Sequence, residues 1–219
     1  MPRTVVIMSG GIDSTTLLYE LIAAGHIVKA LSVNYGQRHC RELEAAAHLC
    51  TTLAIEHQQI ELSATRELFG GNSLMDFAAP IPAGEYSATT MPQTTVPNRN
   101  MLLLSLAIGW AISIDYEGVA FGAHAGTTVT YPDCRPEFAA AMHQAALLCD
   151  WQPIAVLAPF VTWTKGEVVR RGASLGVPFE WTWSCYQGRE RHCGICGTCI
   201  DRRRAFIAAG VPDPTDYES

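Results

Sequence analysis

The chain has no apolar run long enough to cross a membrane. Its longest, Met101 to Ile114, is interrupted by Ser105, Gly109 and Ser113, against the ~20 residues a spanning helix needs. The amino terminus runs straight into a short apolar stretch and a glycine pair, with no signal-peptide h-region and no small-residue cleavage site. A cytoplasmic protein is the expectation. Charge is scarce as well: charged residues are 16% of 219, with 15 Lys plus Arg against 21 Asp plus Glu, net −6. That excludes a surface built to coat nucleic acid, although not a local basic patch. There is no repeat and no low-complexity segment. With 48% hydrophobic residues, disorder is excluded and the core suffices for one domain, or one domain with an appendage.

What is present is alternation. Thr4–Met8 reads as a buried strand, then a loop at Ser9-Gly10-Gly11, then a helix carrying Leu17, Leu18, Leu21 and Ile22 to a stop at Gly25. Ile27–Val33 is a second strand. Arg41–Leu53 is a helix with Leu43, Ala46, Ala47, Leu49 and Cys50 on one face, and His57–Leu62 is a weaker strand. Residues 63–97 hold Gly70-Gly71, Pro80, Pro82, Gly84, Pro92 and Pro97 with little periodicity; such a segment reads as a functional loop or lid. The pattern resumes with a helix (Asn100–Ile114), a strand (Gly118–Ala123), a helix (Pro136–Cys149), a strand (Ile154–Phe160) and a helix (Lys165–Leu175). This predicts an α/β fold over residues 1–180: a parallel sheet with helices on both faces and ligands beyond the carboxyl ends of the strands, near the switch point. Residues 181–219 break the pattern and read as a small separate appendage.

The loop Ser9-Gly10-Gly11-Ile12-Asp13-Ser14-Thr15-Thr16 follows the first strand and opens the first helix. Two glycines allow a tight turn that brings amide N–H groups near an anion. Ser9, Ser14 and Thr15 add hydroxyl donors, and the helix amino terminus adds its dipole. Asp13 would repel a phosphate unless a cation bridges them, which points to Mg²⁺ on a pyrophosphate. The pattern is neither Walker A nor the dinucleotide fingerprint. It resembles the Ser-Gly-Gly-x-Asp-Ser loop of the ATP pyrophosphatase (PP-loop) superfamily, whose members adenylate a carboxyl or carbonyl oxygen and release pyrophosphate.

Of eight cysteines, Cys40, Cys50, Cys134 and Cys149 are scattered, while Cys185, Cys193, Cys196 and Cys199 fall within fifteen residues punctuated by Gly188, Gly194 and Gly197. Cys40, Cys50 and Cys149 read as small buried hydrophobes. Four thiolates on short loops suit tetrahedral zinc with no open position, a structural site. An iron–sulfur cluster, a redox pair within Cys193–Cys199 and plain burial are the competing readings.

Three further strings narrow the match: Val96-Pro97-Asn98-Arg99-Asn100, Tyr131-Pro132-Asp133-Cys134-Arg135-Pro136-Glu137-Phe138 and Thr182-Trp183-Ser184-Cys185-Tyr186. With the phosphate loop and Asn34-Tyr35-Gly36-Gln37-Arg38-His39 they resemble, from end to end, the 7-cyano-7-deazaguanine synthase family of queuosine biosynthesis. The resemblance implies an adenine-nucleotide α-hydrolase-like fold and a carbon–nitrogen ligase. In it a 7-carboxy-7-deazaguanine carboxylate attacks the α-phosphorus of ATP, ammonia displaces AMP, and a second adenylation dehydrates the amide to a nitrile. It implies ATP contacts from Ile7, Met8, Ser9, Gly10, Gly11, Ile12, Asp13, Ser14, Thr15, Thr16 and Leu17. It further implies Mg²⁺, one structural zinc, and a homodimer that acts on small molecules rather than nucleic acid.

Ser9, Asp13, Ser14, Arg99 and Lys165 are the candidate catalytic residues. Arg99 or Arg135 is placed to grip a carboxylate or the α-phosphate, and Lys165 to reach phosphate. Asn98, Asn100, Tyr131, Asp133, Arg135 and Glu137 are candidates for holding the heterocycle, with Asp133 or Glu137 accepting from its N–H groups. Blander roles compete. Asn98 and Asn100 also read as helix caps, Glu137 and Glu167 as first-turn charges, and Asp133–Arg135 as a mutual pair. His124 reads as a satisfied strand-end histidine, Arg202-Arg203-Arg204 as a solvated helix face, and Trp163, Trp181 and Trp183 as packing. One departure concerns Gly126-Thr127-Thr128-Val129-Thr130, where related sequences carry an acidic residue. It leaves open a variant that stops at the amide. A tRNA-thiolating PP-loop enzyme and a zinc-ribbon adaptor are the alternatives from other classes.

Overall fold

The computed structural model describes residues 1–69, 71–87, 89–125 and 131–218. Strands β1 (Arg3–Ile7), β2 (Ile27–Asn34), β3 (His57–Glu61), β4 (Gly118–Ala120) and β5 (Ala155–Leu157) form one sheet in the order β3-β2-β1-β4-β5. Every pairing is parallel. Among the described residues six helices connect and cover it: α1 (Ile12–Ala23), α2 (Arg41–Thr52), α3 (Arg99–Ser113), α4 (Pro136–Ala146), α5 (Lys165–Ser174) and α6 (Gly197–Ala209).

Alternate strand residues feed two cores, as the period of a strand requires. Val6, Val28, Ala30 and Ala120 point to one face and pack with Leu17, Leu18 and Leu21 of α1, Leu49 of α2, Val168 and Val169 of α5, and Phe206 of α6. Val5, Leu31, Val33, Val119 and Phe121 serve the other face with Leu104, Ala107 and Ile108 of α3 and Met142 of α4. The chain builds outward from β1 to β3 and returns to β4 on the other side of β1. The switch point therefore lies beyond the carboxyl ends of β1 and β4, where a ligand crevice is expected.

Residues beyond 180 share the first core rather than standing apart from it, because Ala205 and Phe206 of α6 are buried there against Phe179 and α5. Arg202, expected on a solvated face, is 0% exposed. Its guanidinium donates to Thr182 Oγ1 (2.9 Å), Ser184 Oγ (3.1 Å), the Phe179 carbonyl (2.8 Å) and Thr215 Oγ1 (2.5 Å), with Asp213 at 3.6 Å. Full partnering is what permits a buried cation. The segment 63–97 contains two short 3-10 helices, Ser63–Phe69 and Met91–Thr94. The Arg38 guanidinium gathers part of it, donating to the Ser73, Ala79 and Phe77 carbonyls at 2.7–3.1 Å. Leu74, Met75, Ile81 and Val96 then pack in a third core with the four clustered cysteines. Of the scattered cysteines only Cys50 is buried; Cys40 and Cys149 are exposed, contrary to expectation, and Cys134 is half-buried.

Candidate functional site

A cavity of about 280 Å³ opens at the switch point. The turn from β1 into α1 forms its floor. Gly10 has φ +81°, and a Cβ there would stand 2.1 Å from the Glu42 carbonyl oxygen and 2.8 Å from the Ala46 nitrogen. The loop is pressed onto α2, and only glycine fits. Gly11 is different: its backbone is extended at φ −82°, and an added Cβ would meet nothing closer than 3.5 Å. The Ser9 and Ser14 hydroxyls lie 3.0 Å apart, and Ser14 Oγ accepts from the Ser9 amide at 3.2 Å. Gly11 caps α1 without a side-chain hydrogen bond, and Gly11, Ile12, Asp13 and Ser14 all line the cavity. The first amides of α1 and its positive dipole end are thereby presented to whatever binds there.

Asp13 carries the strongest local field. Its Oδ2 lies 3.1 Å from Lys165 Nζ and 3.5 Å from His124 Nε2, while Oδ1 is buried with no partner among the described residues. Burial alone would raise this carboxyl. The Lys165 ammonium and His124 outweigh it and hold Asp13 well below the ordinary carboxylate range. Burial would likewise lower Lys165, but the Asp13 charge prevails and the lysine lies above its usual value. Lys165 is placed by the start of α5, where Thr164 and Glu167 form a reciprocal capping box, so Glu167 serves the helix end, one of its expected roles. The chain leaving β4 crosses directly over the loop. A Cβ on Gly122 would stand 3.0 Å from the Asp13 carbonyl carbon and 3.1 Å from the Ser14 nitrogen.

The opposite wall is aromatic and basic. Arg99 opens α3 and lines the cavity with Tyr35, Tyr131 and Tyr186. Burial works against its charge, yet Tyr35, Tyr186 and Asp133 raise its guanidinium above the ordinary value, so it stays cationic. Asn100 lines the cavity too and latches the Tyr131–Glu137 string to α3. Its amide side chain donates to the Asp133 carbonyl (3.1 Å), and its backbone N–H to Asp133 Oδ2 (3.4 Å). Tyr86 enters from the 63–97 segment. Its ring seats where a Cβ on Gly197 would approach to 2.8 Å, and its buried hydroxyl faces the Tyr131 and Tyr186 phenols. Glu42 completes the wall, its carboxyl pushed up to about 7 by burial despite the opposing pull of Arg99 and Lys165.

The cavity thus brings together Ile7, Met8, Ser9, Gly11, Ile12, Asp13, Ser14, Arg99, Asn100, Tyr131 and Lys165 from the residues expected from sequence. Gly10 lies beneath the loop, and Thr15, Thr16 and Leu17 are buried in α1. Asn98, Arg135 and Glu137 are exposed and outside the lining, and Asp133 stands behind Asn100. Asn98 occupies the cap position of α3 but its side chain makes no capping bond. The string Gly126–Thr130 lies outside the described residues. Glu42, Tyr86, Gly122 and Asp201 line the site without a local sequence signal; each arrives through a tertiary contact.

The four clustered cysteines sit beside this cavity, all buried, with their sulfurs within 4.8 Å of one another. Cys193 and Cys199 Sγ are 3.9 Å apart, close to the ~3.8 Å separation of sulfurs around tetrahedral zinc at the usual bond length. Backbone amides of Gln187 and Cys193 donate to Cys185 Sγ, and that of Cys196 to Cys193 Sγ, each at 3.4 Å. Donors to sulfur favour thiolates, as a metal site requires. The donor set fits the expected ion. Trp183 N–H donates to the Gly10 carbonyl at 2.9 Å, and Ala83 pairs with Cys196, so the centre is tied to both the phosphate loop and the Tyr86 segment. Among the described residues no helix is long and apolar enough to cross a membrane.

Comparison with known proteins agrees with this arrangement. The family described as "Queuosine biosynthesis protein QueC" matches residues 3–210. The 7-cyano-7-deazaguanine synthase of Hahella chejuensis is 49% identical over 217 residues, covering 99% of this chain and 94% of that protein. That of Methanoregula boonei is 45% identical over 216 residues, covering 99% of each. A solved 4-thiouridine synthetase, in complex with RNA and bound ATP, superposes with a TM-score of 0.54 at 14% identity, over 99% of this chain and 47% of that one. A likeness of that depth speaks for a shared fold alone. With a parallel sheet, a phosphate loop at its switch point and full-length relatives at this identity, the chain belongs to the QueC family of queuosine biosynthesis proteins.

Proposed function

We propose that the chain is an ATP-dependent ligase that converts 7-carboxy-7-deazaguanine and ammonia to 7-cyano-7-deazaguanine. The observation that carries this reading is the convergence on one cavity of a glycine-bounded helix terminus, Lys165 and Arg99. That set suits a polyphosphate meeting a carboxylate. In the first step a substrate carboxylate oxygen attacks the α-phosphorus and pyrophosphate leaves. Phosphoryl transfer asks the protein mainly to position and to neutralise. The amides of Gly11–Ser14 and the Ser9 and Ser14 hydroxyls hold the departing pyrophosphate. Lys165 adds a cation there, and Arg99 aligns the carboxylate with the α-phosphate.

Asp13, whose buried Oδ1 has no partner among the described residues, would hold Mg²⁺, which would supply charge neutralisation at the phosphates. Ammonia then displaces AMP to give the amide. Adenylation of the amide oxygen by a second ATP allows loss of AMP and formation of the nitrile. The tyrosine-rich wall suits a planar heterocycle, with Tyr131, Tyr186 and Asn100 beside it. Zinc on Cys185, Cys193, Cys196 and Cys199 is structural, holding Trp183 against the loop and Tyr86 against the cavity. A homodimer in the cytoplasm, drawing on free ammonia, completes the reading.

The test is incubation with ATP, Mg²⁺, ammonium and 7-carboxy-7-deazaguanine, with the product mass read out. A nitrile with two AMP per turnover is the expected result. An amide end product would mean that the reaction stops halfway, and unreacted acid would reject the reading.

A further inference from the structure

One acidic side chain on the cavity wall has no part in the steps above. Glu42 projects from the first turn of α2, and its own carbonyl oxygen is the group against which Gly10 is pressed. Its backbone is thereby fixed against the phosphate loop, and the residue lines the same cavity as Asp13, Arg99 and Lys165. Arg99 of α3 and Lys165 of α5 act on it electrostatically, and the Tyr35 and Tyr186 phenols are near enough to feel its charge. No described residue donates a hydrogen bond to it. Of the other acids on the wall, Asp13 is paired with Lys165 and His124, while Asp201, on α6, is raised by burial against the pull of Lys165 and Arg204 and stands two residues from the clustered Cys199.

The reaction, for its part, releases protons at nitrogen and needs an acceptor for them. We propose that Glu42 is the general base of the nitrogen-transfer half of the reaction, an inference that rests on the synthase reading. As ammonia adds to the acyl carbon, the C–O bond to phosphate breaks and AMP leaves with its electron pair; Glu42 takes the surplus N–H proton and the amide results. In the second round Glu42 removes the two N–H protons of the adenylylated amide in turn, passing each to water. The freed nitrogen electrons close the C≡N bond as AMP departs.

Burial, partly offset by Arg99 and Lys165, pushes this carboxyl up to about 7, the range in which a base is both available and effective near neutral pH. Arg99 and Lys165 are raised and stay cationic, and Tyr35 and Tyr186 are raised and stay neutral. Of these neighbours none changes charge near neutrality.

The experiment compares the full-length protein with Glu42→Gln and Glu42→Asp from about pH 5.5 to 8.5. Pyrophosphate release from ATP and 7-carboxy-7-deazaguanine is measured without ammonium, and amide and nitrile formation with it. In the parent protein, nitrile kcat should rise with pH to a plateau above about 7. Glu42→Gln should release pyrophosphate at the parent rate and keep the KM for the acid. It should form product about 10²–10⁴-fold more slowly and lose the rise with pH. Glu42→Asp should be slower but keep the rise. Unchanged nitrile kcat and pH profile in Glu42→Gln would overturn the proposal. So would a raised KM at constant kcat, which would assign Glu42 to holding the heterocycle. A parent protein that releases no pyrophosphate with this acid would instead overturn the synthase reading itself.

Discussion

Gly10 and Gly11 are neighbours in one motif, yet the structure gives them opposite roles, and alanine substitution separates them. At Gly10 the backbone is left-handed at φ +81°, a conformation that costs a side chain about 1–2 kcal/mol. The new methyl would also lie 2.1 Å from the Glu42 carbonyl oxygen and 2.8 Å from the Ala46 nitrogen. Both are backbone atoms of a packed helix and cannot rotate away, so overpacking adds about 1–3 kcal/mol. Gly10→Ala should therefore destabilise by roughly 2–5 kcal/mol, or a fall in Tm of roughly 4–20 °C for a chain of this size. Gly11→Ala starts from an extended φ of −82° with 3.5 Å of clearance. The entropy withdrawn from the unfolded chain, about 0.4–1 kcal/mol, offsets the weaker cap, and Tm should move by less than about 3 °C. Thermal unfolding followed by circular dichroism reads both. Equal losses in the two variants would refute the claim that α2, rather than the bound anion, dictates the glycine at position 10.

Arg202→Met should cost about 3–5 kcal/mol, because it takes the cation away from the part-buried Asp213 carboxylate and removes the shared donor to Thr182, Ser184, Thr215 and the Phe179 carbonyl. Arg202→Lys should not restore it, because a single ammonium cannot reproduce the fork; denaturant unfolding of the two variants checks this. Lys165→Met should slow adenylation by roughly 10²–10³-fold, read as pyrophosphate release. It also has a pH signature. Asp13 is depressed in the folded state, so its contribution to stability is present above its unfolded value of 3.8 and lost as pH falls through its lower folded one. Removing Lys165 should therefore lower Tm at neutral pH and flatten the acid-side decline. The parent protein should carry one zinc per chain, and chelation or Cys199→Ser should remove it and lower Tm by roughly 10 °C or more, with metal content read by mass spectrometry.

The alternating pattern made most of the sheet legible, since apolar periodicity is local and every core strand obeys it. The ends were harder. A strand read to Ala123 stops at Ala120, because the chain turns at Gly122 to cross Asp13 and Ser14, a contact with no local signature. The phosphate loop and the cysteine spacing were visible because each packs its chemistry into one short stretch. The opposite wall was only half visible. Arg99 and Tyr131 sit in recognisable strings, but Glu42 occupies an ordinary helix turn and Tyr86 a segment without period. Arg202 misled for a related reason: three successive arginines look solvated, and the groups that satisfy the first of them come from residues 179–184 and 213–215.

The central claim is that the turn between β1 and α1 holds the pyrophosphate of ATP while Arg99 presents the acid. A crystal structure with a non-hydrolysable ATP analogue, Mg²⁺ and 7-carboxy-7-deazaguanine tests it most directly. The account predicts β- and γ-phosphate oxygens within hydrogen-bond reach of the amides of residues 11–14, and the substrate carboxylate between Arg99 and the α-phosphorus. Phosphates bound elsewhere in the cavity, or a carboxylate turned away from Arg99, would contradict it.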